Sequence, residues 1–294
     1  MTGSWLNGEP RSRRHAKAQQ FLRGWREVNG NTLAVAGQVA MLFFVLSALL
    51  APWLSQYDPT EIHIYDRLKP PSEEHWLGTD ERGRDILSRI IYGGRITLYI
   101  VALSLAIITP LGVAVGCIAG YFGGWTRAVL MQVTDIFLAF PSLILALALT
   151  AALGPGLQNT ILAIGLSSWP MLARLTYAET LRISGSDYVL AAQLQGASHA
   201  HVLLRHVVPM CMPVVLVRTM LSIAGVILTA ASLGFLGLGA QPPTPEWGTM
   251  LAQGRRYILD YWWIATMPGL AILLVSLAFN LLGDGLRDAL DPRA

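Results

Sequence analysis

The positions of the two lysines show whether the chain contains a phosphate-binding loop for a nucleotide. That loop has the pattern GxxxxGK[ST], in which a lysine directly follows a glycine and reaches the phosphates. Lys17 follows an alanine and Lys69 follows a leucine, so the sequence lacks the pattern. It also lacks the CxxC, HExxH and GxSxG patterns of redox, zinc and nucleophilic sites. We therefore predict a chain that is not an enzyme, holds no cofactor and leaves any ATP to a partner.

Two cysteines and three histidines are the remaining candidates for metal or redox chemistry. Cys117 and Cys211 lie in or beside apolar runs, where an isolated thiol behaves as a small hydrophobic side chain. His199 and His201 are two residues apart and His206 follows five later, so one helix face does not carry all three. We expect neither a disulfide nor a metal site, and we expect the histidines to face solvent or an interface.

The elements that position these residues follow from a composition that is unusual for a soluble protein. Hydrophobic residues make up 53% of the 294 residues, charged residues only 13%, and the mean hydropathy is +0.49. A helix needs about 20 apolar residues to cross the roughly 30 Å of hydrocarbon in a bilayer. Six blocks meet this requirement: 32–54, 96–121, 127–152, 157–177, 207–236 and 263–283. The sequence therefore predicts one all-α integral membrane domain with six transmembrane helices.

Basic residues near the N-terminus set the predicted orientation, because positive segments beside a span remain in the cytoplasm. We expect this tail to contact anionic lipid and no nucleic acid. The first apolar run begins near residue 32 and is long enough to span, so no cleavable signal peptide is expected. Six spans return the C-terminus to the cytoplasm, although Arg255 and Arg256 then fall outside, against the rule. The predicted order is a cytoplasmic tail (1–31), a first transmembrane helix (32–54), an extracytoplasmic loop (55–95), a five-helix core (96–283) with a cytoplasmic stretch at 188–209, and a cytoplasmic tail (284–294).

Two charged residues fall inside the predicted spans, where an ionisable group is costly and faces a pathway or a partner. Asp135 and Arg218 lie at similar depths in the third and fifth spans. We expect them to form an ion pair with each other, to pair with other chains, or to line a substrate pathway. Pro110 and Pro141 are expected to kink their helices. The glycines of 112–120 are expected to let helices pack closely.

The stretch 188–209 is too polar to span a membrane and lies between two apolar blocks. It runs Leu190-Ala191-Ala192, then Gly196, then Pro209 at the start of the next block. This order predicts a short helix, a turn at the glycine and a second helix that leads to the proline. The stretch resembles the EAA loop of membrane subunits of ATP-binding cassette importers, with Leu190 in place of the glutamate of that pattern.

Two further regions strengthen this resemblance. Residues 76–89, WLGTDERGRDILSR, resemble the LGTDxxGRDxxSR signature of the dipeptide/oligopeptide/nickel class of these subunits. Residues 233–248, LGFLGLGAQPPTPEWG, together with 280–292, NLLGDGLRDALDP, resemble the end of the same class. Taken together, the motifs are most similar to the second of the two permease subunits.

The resemblance implies the type I permease fold of these importers in a bacterial inner membrane. It implies four kinds of partner: a second permease, two ATPase subunits that hold ATP and magnesium, an extracytoplasmic solute-binding protein, and membrane lipid. It assigns coupling to the ATPase to Leu190, Ala191, Ala192, Gly196, Ala197, Arg205 and Pro209. It places docking of the binding protein, or a purely structural cap, at Asp80, Arg84, Asp85, Glu246 and Trp247.

The class takes up dipeptides, oligopeptides, related peptides and nickel. No predicted span contains a histidine in its interior, so we expect a peptide in preference to nickel. The alternative from another class is a stand-alone channel or a transporter driven by an ion gradient, which would function without ATPase partners.

Overall fold

The computed structural model describes Gln19, Gly30 and residues 32–290. Within these residues the regular structure is helical, apart from one isolated bridge between Thr79 and Asp85. The helices are α1 (Thr32–Leu49), α2 (Ala51–Leu54), α3 (Ile86–Phe122), α4 (Gly124–Leu138), α5 (Ser142–Leu153), α6 (Leu157–Ser184), α7 (Asp187–Leu194), α8 (His199–Val202), α9 (Val208–Phe235), α10 (Trp247–Gly254) and α11 (Trp263–Leu290). A π-helical turn, Leu203–Val207, joins α8 to α9, and 3-10 turns occupy Ile64–Asp66 and Arg255–Tyr257.

Four helical segments of the described chain are long and apolar enough to cross a membrane. They are Thr32–Leu49, Ile86–Phe122, His199–Phe235 and Trp263–Asp288. The helices α4 and α5 pass the same test only as a pair, and they meet at an angle of 88°. The predicted bend at Pro141 is thus confirmed, whereas Pro110 lies inside α3, which continues through it. The structure supports four spans, or five with the bent pair, where the sequence predicted six.

The remaining predicted span corresponds to α6, which is long enough but less apolar. Gln158, Asn159 and Arg174 are among the polar residues that lower its hydropathy. Much of α6 is covered by the chain itself rather than left for lipid, since residues such as Ile164, Leu172 and others along it are buried. A helix shielded in this way needs a less continuous apolar surface than one that faces hydrocarbon.

The helices α3 and α6 pack against each other along most of their length, through a seam of small residues. A methyl group added at Gly112 would lie 2.9 Å from Cβ of Leu172, and one added at Gly116 would lie 2.6 Å from the carbonyl oxygen of Ala173. One added at Gly120 would lie 2.7 Å from Cβ of Thr180. The close packing predicted for this glycine series is therefore confirmed.

The hydrophobic core lies where α3, α6, α9 and α11 meet, and α1 packs on the C-terminal half of α11. A methyl group added at Gly37 of α1 would lie 2.7 Å from the backbone nitrogen of Leu282. The helix α11 extends through residues 284–290, which were predicted to belong to a tail. The predicted basic tail at 1–31 lies outside the described residues except for Gln19 and Gly30.

The start of α3 also differs from the prediction. The helix begins at Ile86 rather than near residue 96, and its N-cap is Asp85, whose carboxylate accepts a hydrogen bond from the Ser88 backbone at 2.8 Å. The neighbouring Asp80 carboxylate is instead bound by arginines. At 37 residues, α3 is about 55 Å long and connects two distant ends of the protein.

Candidate functional site

Residues 187–207, the elbow segment, lie at the C-terminal end of α3 and consist of α7, a turn, α8 and the π-helical turn. Val189, Val202 and Val207 anchor this segment because all three are fully buried. The opposite side is exposed and strongly apolar: Leu194 is 88% exposed, Leu204 68% and Leu190 45%. Exposed leucines in such a cluster mark a surface that another protein or a membrane covers.

The turn between α7 and α8 depends on Gly196. Its φ of +82° lies in the left-handed region, which costs an ordinary L-residue roughly 1–2 kcal/mol. The Gly196 and Ala197 backbone amides donate to the carbonyls of Gln193 and Ala192, and so close the end of α7. The helix-turn-helix form predicted for 188–209 is confirmed, and no atom lies within 4 Å of a methyl group placed on Gly196.

The other residues singled out in this segment divide between the two sides. Ala192 and Ala197 are half-buried and pack against the core, whereas Ala191, Arg205 and Pro209 are exposed. Leu190 takes the place of an acid and adds to the apolar exposed side. The exposed side therefore offers Leu, Ala and Gly surfaces, with one guanidinium at its edge.

Two tyrosines that sequence reasoning did not single out hold the elbow segment in place: Tyr121 links it to α3, and Tyr188 forms a bond within it. The Tyr121 hydroxyl, near the end of α3, lies 3.0 Å from Nδ1 of His199 and accepts a hydrogen bond from the Gln193 amide at 3.3 Å. The Tyr188 hydroxyl lies 2.7 Å from Nδ1 of His206. Two of the three histidines thus bond tyrosines, and His201 contacts the ring of His206.

A second cluster, the polar block, lies at the other end of α3. The Asp80 carboxylate accepts from Nε of Arg84 at 2.7 Å and lies 3.6 Å from Nε of Arg89. The Asp85 carboxylate caps α3 and lies 3.0 Å from Nδ1 of His75. Asp80 is 4% exposed and Arg84 is 1% exposed, so these charges compensate each other inside the protein.

Glu246 and Trp247 also have structural roles, at the start of α10. The Glu246 carboxylate caps α10 by accepting from the backbone amides of Gly248 and Thr249, both at 2.8 Å. Burial raises the pKa of Glu246 above its usual value. Trp247 donates to the carbonyl oxygen of Ile90 at 3.0 Å, and its ring covers Gly93 of α3.

The five residues assigned to docking are therefore all interior. Asp80, Arg84, Asp85, Glu246 and Trp247 are buried and bonded within the chain, so these side chains do not form a contact surface. Charged residues near a helix start were taken for surface residues because the sequence does not show that they neutralise one another. The exposed side chains at this end include Tyr65, Trp76 and Leu259.

A cavity of about 420 Å³ lies between the bent pair α4–α5, α6 and α9, with Ile108 of α3 on one wall. Its lining contains several hydroxyls and a single charged side chain among the described residues, that of Arg218. Arg218 lies ten residues into α9, about 15 Å along the helix. A volume of this size is within the range of small-molecule sites.

The ion pair expected between Asp135 and Arg218 is formed instead by Asp135 and Arg174. The bend between α4 and α5 brings the end of α4 against α6, where Arg174 lies, and leaves Arg218 on the cavity wall. No acidic side chain of residues 32–290 pairs with Arg218. Glu179 pairs with Arg182 one helical turn further on.

The two cysteines are buried, as predicted, but they are not isolated from each other. The Thr180 hydroxyl lies 3.5 Å from both Sγ of Cys117 and Sγ of Cys211. These two contacts connect α3, α6 and α9 near the elbow segment. Both thiols are free.

The sequence matches the family described as binding-protein-dependent transport system inner membrane component over residues 112–294. The chain belongs to this family. Residues 19–71 also match the N-terminal transmembrane domain of oligopeptide transport permease C. The two matches together include the elbow segment and the cavity lining apart from Ile108, whereas residues 75–89 of the polar block lie between the matched ranges.

Members of the transport family with peptide names are similar to this chain over nearly its whole length. A di/tripeptide transport system permease protein of Pseudomonas aeruginosa is 48% identical over 275 residues, which cover 92% of this chain and 91% of that protein. A probable D,D-dipeptide transport system permease protein of Escherichia coli is 44% identical over 91% of this chain and 90% of its own length. A glutathione transport system permease protein of Pectobacterium atrosepticum is 43% identical, with coverages of 92% and 90%.

A solved structure agrees on the fold. A chain of the MetNI methionine ABC transporter, in an inward-facing conformation, superposes with a TM-score of 0.52 and 18% sequence identity. The superposition covers 69% of this chain and 95% of the transporter chain. The helical arrangement is thus that of an ABC transporter permease.

Proposed function

We propose that this chain is the permease subunit of an ATP-driven importer and forms half of a pathway for short peptides. The observation that carries the peptide assignment is the set of relatives named for dipeptides, di/tripeptides and glutathione, which are 43–48% identical over about nine-tenths of both chains. A chain with this much similarity over nearly its whole length fits the same class of cargo.

The proposed topology has six spans with both termini in the cytoplasm. In this arrangement α4 and α5 together form one broken span, and α6 crosses the bilayer against the glycine seam of α3. Basic residues ahead of α1 support an N-terminus on the cytoplasmic side. The elbow segment then lies in the cytoplasm and the polar block lies outside.

The elbow segment is proposed to couple this subunit to an ATPase. Its exposed leucines supply an apolar surface, its buried valines hold that surface rigid, and Tyr121 ties it to α3. A rigid helix that fits a groove transmits the movement of its partner to the spans. Leu190 makes this contact apolar where an acid would have provided a charge. ATP and magnesium are held by the two ATPase subunits, and this chain needs no cofactor.

The loops 55–85 and 237–260 are proposed to receive the solute-binding protein. The buried polar block fixes the shape of these loops, and the exposed Tyr65, Trp76 and Leu259 supply contact area. Aromatic side chains are enriched in protein interfaces because they bury much area with little loss of conformational freedom.

The cavity chemistry favours a peptide over nickel. Nickel binds to imidazole, thiolate and carboxylate ligands. The described lining of the cavity contains none of these groups, and Arg218 would repel a cation.

The test is expression of this chain with the second permease, the ATPase pair and the solute-binding protein encoded beside it. We expect a complex with one copy of each permease and two ATPase chains, which takes up a labelled dipeptide into proteoliposomes only when ATP is supplied on the ATPase side. Uptake by this chain alone would instead indicate a channel or an ion-driven transporter. Nickel uptake without dipeptide uptake would contradict the peptide assignment.

A further inference from the structure

Arg218 is the one described charged group on the wall of the central cavity, and the described chain leaves it without a counter-ion. The nearby acid expected to neutralise it, Asp135, is bound by Arg174. Arg174 and Arg218 therefore differ in their surroundings. Arg174 completes a pair between α4 and α6, while Arg218 presents its guanidinium to a space large enough for a small molecule.

Hydroxyl groups make up much of the remaining polar lining, and three of them already donate their protons within the chain. Ser167 donates to the carbonyl of Ile164, Ser222 to that of Thr219, and Thr229 to that of Gly225. A hydroxyl that donates to its own helix keeps its oxygen lone pairs free to accept. These groups can therefore accept hydrogen bonds from N–H groups in the cavity.

One polar atom at the cavity wall has no partner. The Thr219 hydroxyl is buried and makes no hydrogen bond within the described chain, although Thr219 lines the cavity beside Arg218. A buried hydroxyl without a partner is uncommon in folded proteins. Arg218 and Thr219 are thus adjacent lining residues whose side-chain polar groups have no partner in the described part of the chain.

We propose that Arg218 binds the free C-terminal carboxylate of the peptide as it passes through the cavity. A guanidinium forms paired, charge-assisted hydrogen bonds to a carboxylate, while the hydroxyls accept from the N–H groups and the amino end of the peptide. The proposed ligand class is a short zwitterionic peptide with an unblocked C-terminus. This inference rests on the proposed transport of peptides and adds the contact that recognises them inside the membrane.

The first experiment measures uptake and ATP hydrolysis by the complete importer in proteoliposomes, with saturating binding protein and labelled dialanine. A hydrogen bond to a charged group is worth roughly tenfold or more in affinity. We expect Arg218→Gln to lower uptake at least about tenfold while binding-protein-stimulated ATP hydrolysis stays within about twofold of the wild type. Arg218→Lys should recover part of the uptake. The matched control is Arg127→Gln, which removes an exposed arginine at the start of α4.

The second experiment detects the peptide in the cavity without the binding protein. In the assembled complex, Ser222→Cys places a thiol on the cavity wall, and the rate of its reaction with a neutral maleimide is measured against the same complex without this change. We expect millimolar dialanine to slow the reaction and dialanine amide to have much less effect. Arg218→Gln should abolish the difference between the two peptides.

Several results would overturn the proposal. One is equal protection of the introduced thiol by dialanine and by dialanine amide. Another is no protection by either peptide when Arg218 is present. A parallel loss of assembly, ATP hydrolysis and uptake in Arg218→Gln would show that Arg218 instead pairs with an acid of the second permease. If the wild-type importer moves no dipeptide at all, the proposed function fails; if it does and Arg218→Gln moves dipeptide equally well, only the carboxylate contact fails.

Discussion

Replacement of Gly196 by leucine separates a contact with the ATPase from simple strain in the turn. The backbone at Gly196 has a φ of +82°, so any L-residue there costs roughly 1–2 kcal/mol. The space around it is open in this chain, with no atom within 4 Å of an added methyl group. The Cβ atom of a leucine therefore meets nothing in the subunit itself, and we expect the side chain to disturb the packing of a partner bound to the elbow segment.

A second glycine provides the matched control. Gly154, between α5 and α6, has a φ of +92° and equally open surroundings. Because Gly154 also has a ψ of 159°, in a region that is essentially restricted to glycine, leucine there carries at least as much backbone strain as leucine at Gly196. Overpacking at a protein contact adds about 1–3 kcal/mol, which corresponds to roughly 5- to 150-fold in an equilibrium constant.

The measurements are dipeptide uptake and binding-protein-stimulated ATP hydrolysis in proteoliposomes, with assembly followed by size-exclusion chromatography. We expect Gly196→Leu to reduce coupled uptake roughly 5- to 150-fold more than Gly154→Leu does. Coupled uptake by Gly196→Asn should fall between that of Gly196→Leu and that of Gly154→Leu, because asparagine tolerates the left-handed conformation. Equal effects of the two leucines, or normal coupled uptake by Gly196→Leu, would refute the assignment of this turn to ATPase contact.

Four further predictions concern residues outside the elbow segment. Asp80→Asn removes the nearest carboxylate from the buried guanidinium groups of Arg84 and Arg89, and leaves Arg84 only Glu81 at 3.5 Å. We expect it to destabilise the chain by about 3–5 kcal/mol in thermal unfolding in detergent. Gly116→Leu should force α3 from α6 and also lower the melting temperature, since even a methyl group there would contact a backbone carbonyl at 2.6 Å. Burial raises the pKa of Glu246, so the folded chain binds this proton more tightly than the unfolded one; the stability of the wild type relative to Glu246→Gln should fall as pH rises from about 4 to 7. Arg174→Gln should assemble less well than the double variant with Asp135→Asn, because it alone leaves an unpaired carboxylate; a double variant that assembles worse would contradict the pair.

Local patterns in the sequence predicted the elements whose form depends on neighbouring residues. The turn at Gly196 follows from its spacing within 188–209, and the seam at Gly112, Gly116 and Gly120 follows from a repeat of four. Both are properties of one stretch of chain, since a helix presents every fourth residue on one face. Their outcome did not depend on the arrangement of the other helices.

Long-range pairing is where sequence reasoning failed. Asp135 and Arg174 are 39 residues apart, and only the packing of α4 against α6 brings them together. The prediction of Arg218 as the partner rested on the similar depths of Asp135 and Arg218 in the third and fifth spans. The expectation that the charged residues of the polar block lie on the surface was wrong for a related reason. Charges of both signs in 80–85 are typical of a surface, and only the folded chain shows that they neutralise one another in the interior.

The exposed leucines of the elbow segment also bear on how the protein is handled in the cell after synthesis. Under the proposed coupling, a subunit made before its ATPase carries Leu190, Leu194 and Leu204 uncovered, and burying a fully exposed leucine is worth about 1.5–3 kcal/mol. Such a surface resembles that of an incompletely folded chain, which chaperones and proteases bind. Surplus copies of this subunit would then be short-lived, and the amount of importer in the membrane would follow the supply of the ATPase.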